Sequence, residues 1–231
     1  MNSYSSLRNK RILIIAPHPD DEAICCGGLI MLAKKENAHV HVLYMTIGSS
    51  RQFLTGKTTS RERLPEARKA AEFGNFTYTV GFEGNSFMRL DTLAQKDLIE
   101  KIEDEVHREK PDIITIPSHV SFDQDHRTAA TAAITALRPI PSTLRHQAKI
   151  ILEAEEPYVW TTDSPPPHNF YFDISDVFEE KLQLLACHKT QLREDPFPRS
   201  LENLRRLAGL RGCEIGVQYA EAYHLLRGQL F

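Results

Sequence analysis

No stretch of this 231-residue chain approaches the roughly 20 consecutive apolar residues that a membrane-spanning helix requires, so no stable membrane insertion is expected. There is no basic surplus either: 28 lysines and arginines against 31 acids leave a formal net charge of −3. A general nucleic-acid binder would carry a positive excess, and no nucleic acid is expected as a partner. Cysteine is scarce, and Cys25, Cys26, Cys187 and Cys213 form no Cys-x-x-Cys pair. That excludes a zinc-ribbon or thioredoxin-type motif and leaves buried free thiols. The first βα turn lacks Gly-x-Gly-x-x-Gly, which argues against a dinucleotide-binding domain. No repeat or low-complexity tract is visible, and Pro165-Pro166-Pro167 marks a loop. Met1 to Lys10 is polar and lacks the apolar core of a signal peptide, so a cytoplasmic location is expected.

What is present fits an ordinary globular chain, 41% hydrophobic and 26% charged. The length suits one α/β domain over residues 1–231. The apolar run Arg11 to Ala16 predicts a first strand, and Asp21 to Glu36 a helix. His39 to Thr46, rich in β-branched residues, predicts a second strand. Gly48 to Thr59 is polar and long for a βα loop, a length that often carries function. Helices are predicted over Ser60 to Phe73, Thr92 to Lys110 and His126 to Leu137, and strands over Phe76 to Val80 and Asp112 to Pro117. Strand and helix thus alternate at least four times, the pattern of a parallel sheet with helices on both faces. The later part is less regular. It offers strands at Lys149 to Ala154, Tyr158 to Thr162 and Phe170 to Ile174, and helices at Val177 to His188 and Leu201 to Arg211. Glu221 to Leu226 fits either state.

The chemistry is concentrated in two turns. The first strand runs into Pro17-His18-Pro19-Asp20-Asp21-Glu22, which sets one imidazole and three carboxylates within five residues where a buried strand hands over to a helix. Ionised groups there must be paired, hydrated or bound to a cation. A helix N-terminus would explain the acids through the macrodipole but not His18 or the two prolines. A second turn, Asp123-Gln124-Asp125-His126-Arg127, follows another predicted strand and also opens a helix. If the two strands are neighbours, both turns open onto one rim, where open α/β sheets hold ligands. His18, Asp21 and His126 then supply three ligands and leave a position for water, the pattern of a catalytic zinc. Asp20 remains as a base for that water.

These two turns resemble the PIG-L/LmbE family of metal-dependent N-deacetylases. The likeness runs through Ile134, and Asp173-Ile174-Ser175, Pro198-Arg199-Ser200-Leu201 and Tyr219-Ala220-Glu221-Ala222 add to it. The resemblance implies a Rossmann-like fold and removal of acetyl from an N-acetylated amino sugar or its conjugate, of N-acetylglucosamine type. It implies one Zn2+ per chain on His18, Asp21 and His126, with Fe2+ able to use the same ligands, and Asp20 as general base. It implies substrate contact through Arg63 and leaves room for a homo-oligomer. One position departs from it. Relatives carry a histidine that stabilises the oxyanion where this chain has Asp123, and a carboxylate beside a developing oxyanion is repulsive. Asp123 therefore enters as a catalytic position that is held protonated or turned to substrate hydroxyls, with His119 or His168 as substitutes for the histidine. Glu22 is expected to orient a ligand or cap the helix, and Asp125 to hold a metal-bound histidine or cap the helix at His126. A catalytically impaired member that acts as a metal-containing sugar-binding module is the alternative.

Overall fold

The computed structural model describes residues 7–47, 50–52, 56–83, 89–158 and 160–229. The strands are β1 (Arg11–Ala16), β2 (His39–Thr46), β3 (Ser50–Gln52), β4 (Gly56–Thr58), β5 (Thr77–Phe82), β6 (Ile113–Ile116), β7 (Ile150–Ala154), β8 (Phe170–Asp173) and β9 (Ala220–Gly228). The α-helices are α1 (Asp21–Lys35), α2 (Ser60–Gly74), α3 (Gln95–Glu109), α4 (Gln124–Ala136), α5 (Phe178–Leu185) and α6 (Leu201–Ile215). Seven strands form one sheet in the order β5-β2-β1-β6-β7-β9-β8. The first five of these are parallel, and β9 runs antiparallel to both β7 and β8.

The period-two geometry of a strand explains the two cores. In β1, Ile12, Ile14 and Ala16 face α1, α2, α5 and α6, where Leu29, Ala70, Leu182 and Leu204 join them. Leu13 and Ile15 face the other way, onto Leu98 and Ile102 of α3 and Ala129 and Ala133 of α4. A strand buried on both faces must be apolar throughout, which is why Ile-Leu-Ile-Ile reads as a continuous run. The chain forms the expected mainly parallel α/β sheet with helices on both faces, closed at one side by the antiparallel β9 and its partner β8.

Several local expectations change. Within Gly48 to Thr59 the described residues include a small antiparallel pair, β3 with β4, while 48–49 and 53–55 lie outside the described residues. Among the described residues of Tyr158 to Thr162 a single bridge, Ser121 to Thr161, stands in place of the expected strand. The place beside β7 is taken by β9, and Pro157 precedes the segment. Glu221 to Leu226, undecided by pattern, lies within β9 and sits between two strands. The C-terminal third therefore completes the main sheet. Helix α4 starts at Gln124 and not at His126, because the Asp123 side chain accepts from the Asp125 N–H as its N-cap. Cys26 and Cys187 are buried as expected, whereas Cys25 is half-buried and Cys213 exposed.

The condition set for the site is met. β1 and β6 are hydrogen-bonded parallel neighbours, and β7 lies beside β6 in the same direction. The turns after Ala16, Ile116 and Ala154 consequently share one rim.

Candidate metal centre

Asp21 Oδ2 is the hub of the rim. It accepts from the His18 backbone N–H at 2.9 Å and lies 3.5 Å from His18 Nδ1 and 3.2 Å from His126 Nε2. The two imidazole centroids are 5.4 Å apart. The far nitrogen of each ring is anchored by a carboxylate. His18 Nε2 is 3.1 Å from Asp125 Oδ2, and His126 Nδ1 is 2.6 Å from Glu156 Oε1. Both anchors are themselves fixed: Asp125 Oδ1 accepts from the Leu90 N–H at 2.9 Å, and Glu156 Oε2 accepts from Ser121 Oγ at 2.6 Å. An imidazole whose outer nitrogen donates to a carboxylate is oriented, and made more basic, for metal binding at its inner nitrogen. Asp21 Oδ2 is left between His18 Nδ1 and His126 Nε2.

The electrostatics fit a cation. Burial acts to raise the Asp21 carboxyl, but the charges of His126 and His18 and their hydrogen bonds outweigh it and hold Asp21 well below the usual carboxylate range. Burial acts to lower His126, yet the carboxylates of Asp21 and Glu156 lift it well above the ordinary imidazole value. His18 is raised in the same way, against burial, by Asp125 and Asp21. Carboxylates that draw protons onto two buried imidazoles make a field that a divalent ion satisfies better, releasing those protons as it binds. Two imidazoles and a carboxylate are also the donor set of a catalytic zinc.

Asp20 sits beside this group in an unusual backbone conformation, φ 119° and ψ −30°. A non-glycine residue there is strained by about 1–3 kcal/mol, and the surroundings hold it. Its N–H donates to Glu22 Oε2 at 3.0 Å, and its carbonyl accepts from Ala23 and Ile24. Glu22 Oε1 in turn lies 2.7 Å from His188 Nε2, both side chains fully buried. The twist delivers the Asp20 carboxylate to two arginines: Oδ1 is 3.3 Å from Arg63 Nη2, and Oδ2 is 2.8 Å from Arg199 Nη1. Burial and then the neighbouring charge of Asp21 raise the Asp20 carboxyl, against the pull of Arg199 and Arg63.

The structure therefore brings together His18, Asp20, Asp21 and His126, with Arg63 and Asp123 at the edges. Arg63 is 2% exposed and also donates to the Pro19 carbonyl at 2.7 Å, so it is anchored on the first turn. A carboxylate oxygen of Asp123 and one ring nitrogen each of His18 and His126 lie within 4.8 Å of one another. Asp125 holds a histidine, His18, while the capping role falls to Asp123. His119 pairs with Glu153 at 2.8 Å, and His168 lies 3.5 Å from Glu155. Sequence reasoning missed Glu156, Arg199 and His188. Glu156 had a signal, since it lies two residues beyond the run Lys149 to Ala154 and the rim argument extends to a third strand. Arg199, part of the Pro198-Arg199-Ser200-Leu201 resemblance but given no role there, and His188 reach the site through long-range packing.

The chain is similar to known proteins over most of its length. The PIG-L family, described as GlcNAc-PI de-N-acetylase, matches residues 13–137. A diacetylchitobiose deacetylase of Thermococcus kodakarensis is 26% identical, over 95% of this chain and 84% of the relative. A probable N-acetyl-alpha-D-glucosaminyl L-malate deacetylase 2 of Bacillus cereus is 28% identical, over 79% of this chain and 84% of the relative. Among solved structures, GalB, the 4-carboxy-2-hydroxymuconate hydratase of Pseudomonas putida KT2440, superposes with a TM-score of 0.75 at 18% identity. That superposition covers 96% of this chain and 98% of GalB. GalB speaks for the fold alone, and a fold does not choose a reaction.

Proposed function

The chain belongs to the PIG-L family, and from that premise we propose that it is a metal-dependent hydrolase that removes acetyl from an N-acetylated amino sugar or its conjugate. The observation that carries this reading is the convergence of His18, Asp21 and His126 on one another, with the Asp20 carboxylate alongside. Bound by those three residues, a divalent ion such as Zn2+ supplies Lewis acidity, which polarises the acetyl carbonyl and brings the pKa of water down towards about 7. Asp20 accepts the proton of the attacking water and delivers it to the amide nitrogen as the C–N bond breaks, giving acetate and a free amine. A carboxyl raised above its ordinary range by burial and by Asp21 suits a group that must both take and return a proton. Arg63 and Arg199 keep it aimed. Arg63 thereby acts as a positioning residue in addition to the substrate contact that the resemblance implies.

A groove of about 560 Å³ adjoins the centre through Ser121, Glu156 and Tyr158 and extends to Leu207, Leu210 and Arg211. It offers apolar and charged walls to whatever the amino sugar is attached to. The test is release of primary amine by protein reconstituted with Zn2+, from N-acetylglucosamine, its nucleotide and lipid conjugates and an N-acetylated disaccharide, beside a chelated control. Amine that appears only with metal supports the reading. Metal bound with no amine from any of them favours the second reading, a sugar-binding module disabled at Asp123, which rests on the carboxylate standing where relatives carry histidine.

A further inference from the structure

Asp123 is the residue that the deacetylase reading leaves without a comfortable role. Its carboxylate is held in place before any ligand arrives. Oδ1 accepts from the Asp125 N–H at 2.8 Å, and the Asp123 N–H donates to Ser121 Oγ at 3.2 Å. Its own carbonyl accepts from Arg127 in the first turn of α4. The two arginines of the centre, Arg63 and Arg199, form their ion pairs with Asp20, and the Arg199 charge reaches Asp123 without pairing with it. A fixed, half-buried carboxylate therefore stands three residues before His126, within 4.8 Å of nitrogens on both His18 and His126.

We propose that Asp123 is a fourth protein donor to the metal, making the centre a two-histidine, two-carboxylate site. The proposal rests on the metal-centre reading above. Donors bonded to one ion at about 2.1 Å stand no more than about 4.2 Å apart, so the spacing among Asp123, His18 and His126 closes with side-chain adjustment of under about 1 Å, and Asp21 Oδ2 reaches the same two rings at 3.5 and 3.2 Å. Such a role removes the electrostatic conflict at this position. A carboxylate facing a developing oxyanion repels it, whereas one bound to a cation is neutralised. The consequence is chemical. Two carboxylates cancel the charge of a divalent ion that three ligands, with one carboxylate, would leave at +1. The ion becomes a weaker Lewis acid and takes a higher coordination number once water and substrate are added. That environment disfavours four-coordinate zinc relative to ions content with five or six ligands and more oxygen donors, such as Co2+, Fe2+ or Mn2+.

The experiment reads metal binding without turnover. Apo-protein is titrated with Co2+ and with Zn2+, for the wild type and for Asp123→Ser, which keeps an N-cap oxygen for α4 while removing the carboxylate. Asp21→Ala serves as the comparison. Wild-type protein should give the weak visible absorption of five- or six-coordinate Co2+. Asp123→Ser should give the intense bands of a four-coordinate ion, with Co2+ affinity reduced at least about tenfold and Zn2+ affinity reduced less. An unchanged spectrum and unchanged Co2+ affinity in Asp123→Ser, with binding lost in Asp21→Ala, would overturn the Asp123 assignment and leave the three-ligand centre standing. Binding unchanged in both variants would overturn the centre itself.

Discussion

Arg199 Nη1 meets Asp20 Oδ2 at 2.8 Å across 179 positions of chain. The contact ties the segment before α6 to the strained turn after β1, and it places a cation on the proposed general base. Burial and Asp21 raise the Asp20 carboxyl, and Arg199 is the foremost charge opposing them. The sign follows. Asp20 must be ionised to accept a proton, so activity falls on the acid side of its pKa. Arg199→Gln removes an opposing cation, raises that pKa further, and should move the acid limb of kcat/KM to higher pH. A pH–rate profile with an unmoved acid limb would separate Arg199 from the base.

Asp20→Asn preserves shape and removes the base. Turnover should drop by about 10²–10⁴-fold, while metal content stays near that of the wild type, because Asp20 is not among the three converging donors. Metal analysis beside single-turnover rates checks both halves. Near-native rates would exclude Asp20 as the base.

Glu156 is linked to the candidate metal centre through His126, whose Nδ1 it holds at 2.6 Å. Glu156→Gln keeps a hydrogen-bond acceptor but removes the charge that fixes and polarises the ring. Metal affinity should weaken by about 10–100-fold, read by competition with a chelating dye. An affinity equal to that of the wild type would make Glu156 a structural partner only.

The parts of this centre that lie within one turn were legible in the sequence. His18, Asp20 and Asp21 sit in a six-residue motif, and His126 lies in the first turn of a helix after another apolar strand. Their meeting needed only the inference that β1 and β6 are neighbours, which the βα alternation made reasonable. The core was legible for the same reason, since strands buried on both faces must be continuously apolar. Arg199, His188 and Glu22's role were not legible, because each depends on which distant segment packs onto α1. Nor could pattern decide Glu221 to Leu226: its alternation is broken by Leu225-Leu226, and only its place between β7 and β8 makes it a strand.

A second buried cluster, at the edge of the sheet away from the metal rim, should govern acid stability. His41 of β2 is hydrogen-bonded to Thr77 and Thr79 and packs against Glu105, Arg108 and Glu109 of α3. Burial, with help from Arg108 and against Glu109, lowers its pKa to about 4. An imidazole whose folded pKa lies below its unfolded value near 6.5 contributes stability while neutral, and that stability is lost as pH falls from about 6.5 towards 4. The slope from one such group is at most about 1.4 kcal/mol per pH unit. Glu105, raised by burial, contributes the opposite slope, so the comparison of choice is His41→Gln against wild type. Urea midpoints between pH 4 and 7 should fall less steeply on acidification in the variant; parallel curves would remove His41 from the acid response.

The position of Asp21 also depends on an ion pair beneath α1. Glu221 of β9 accepts from the N–H groups of Gly28 and Leu29 at 2.6 and 2.8 Å, inside the helix, and from Tyr223 Oη at 2.9 Å. Lys181 of α5 meets it at 2.7 Å, with both side chains about 5% exposed. A side chain at Gly28 would collide here, its Cβ 2.5 Å from Ile174 Cγ2 and 2.9 Å from Glu221 Cδ. Lys181→Met preserves the volume and strands a buried carboxylate, which should cost about 3–5 kcal/mol. Adding Glu221→Gln removes the stranded charge and should recover much of that loss, since the amide oxygen still accepts from α1. Denaturant titration of the two single variants and the double variant closes the cycle. A loss in Lys181→Met below about 1 kcal/mol, the scale of an exposed pair, would mean that the carboxylate reaches water without its partner, and α1 would then owe its position to apolar packing alone.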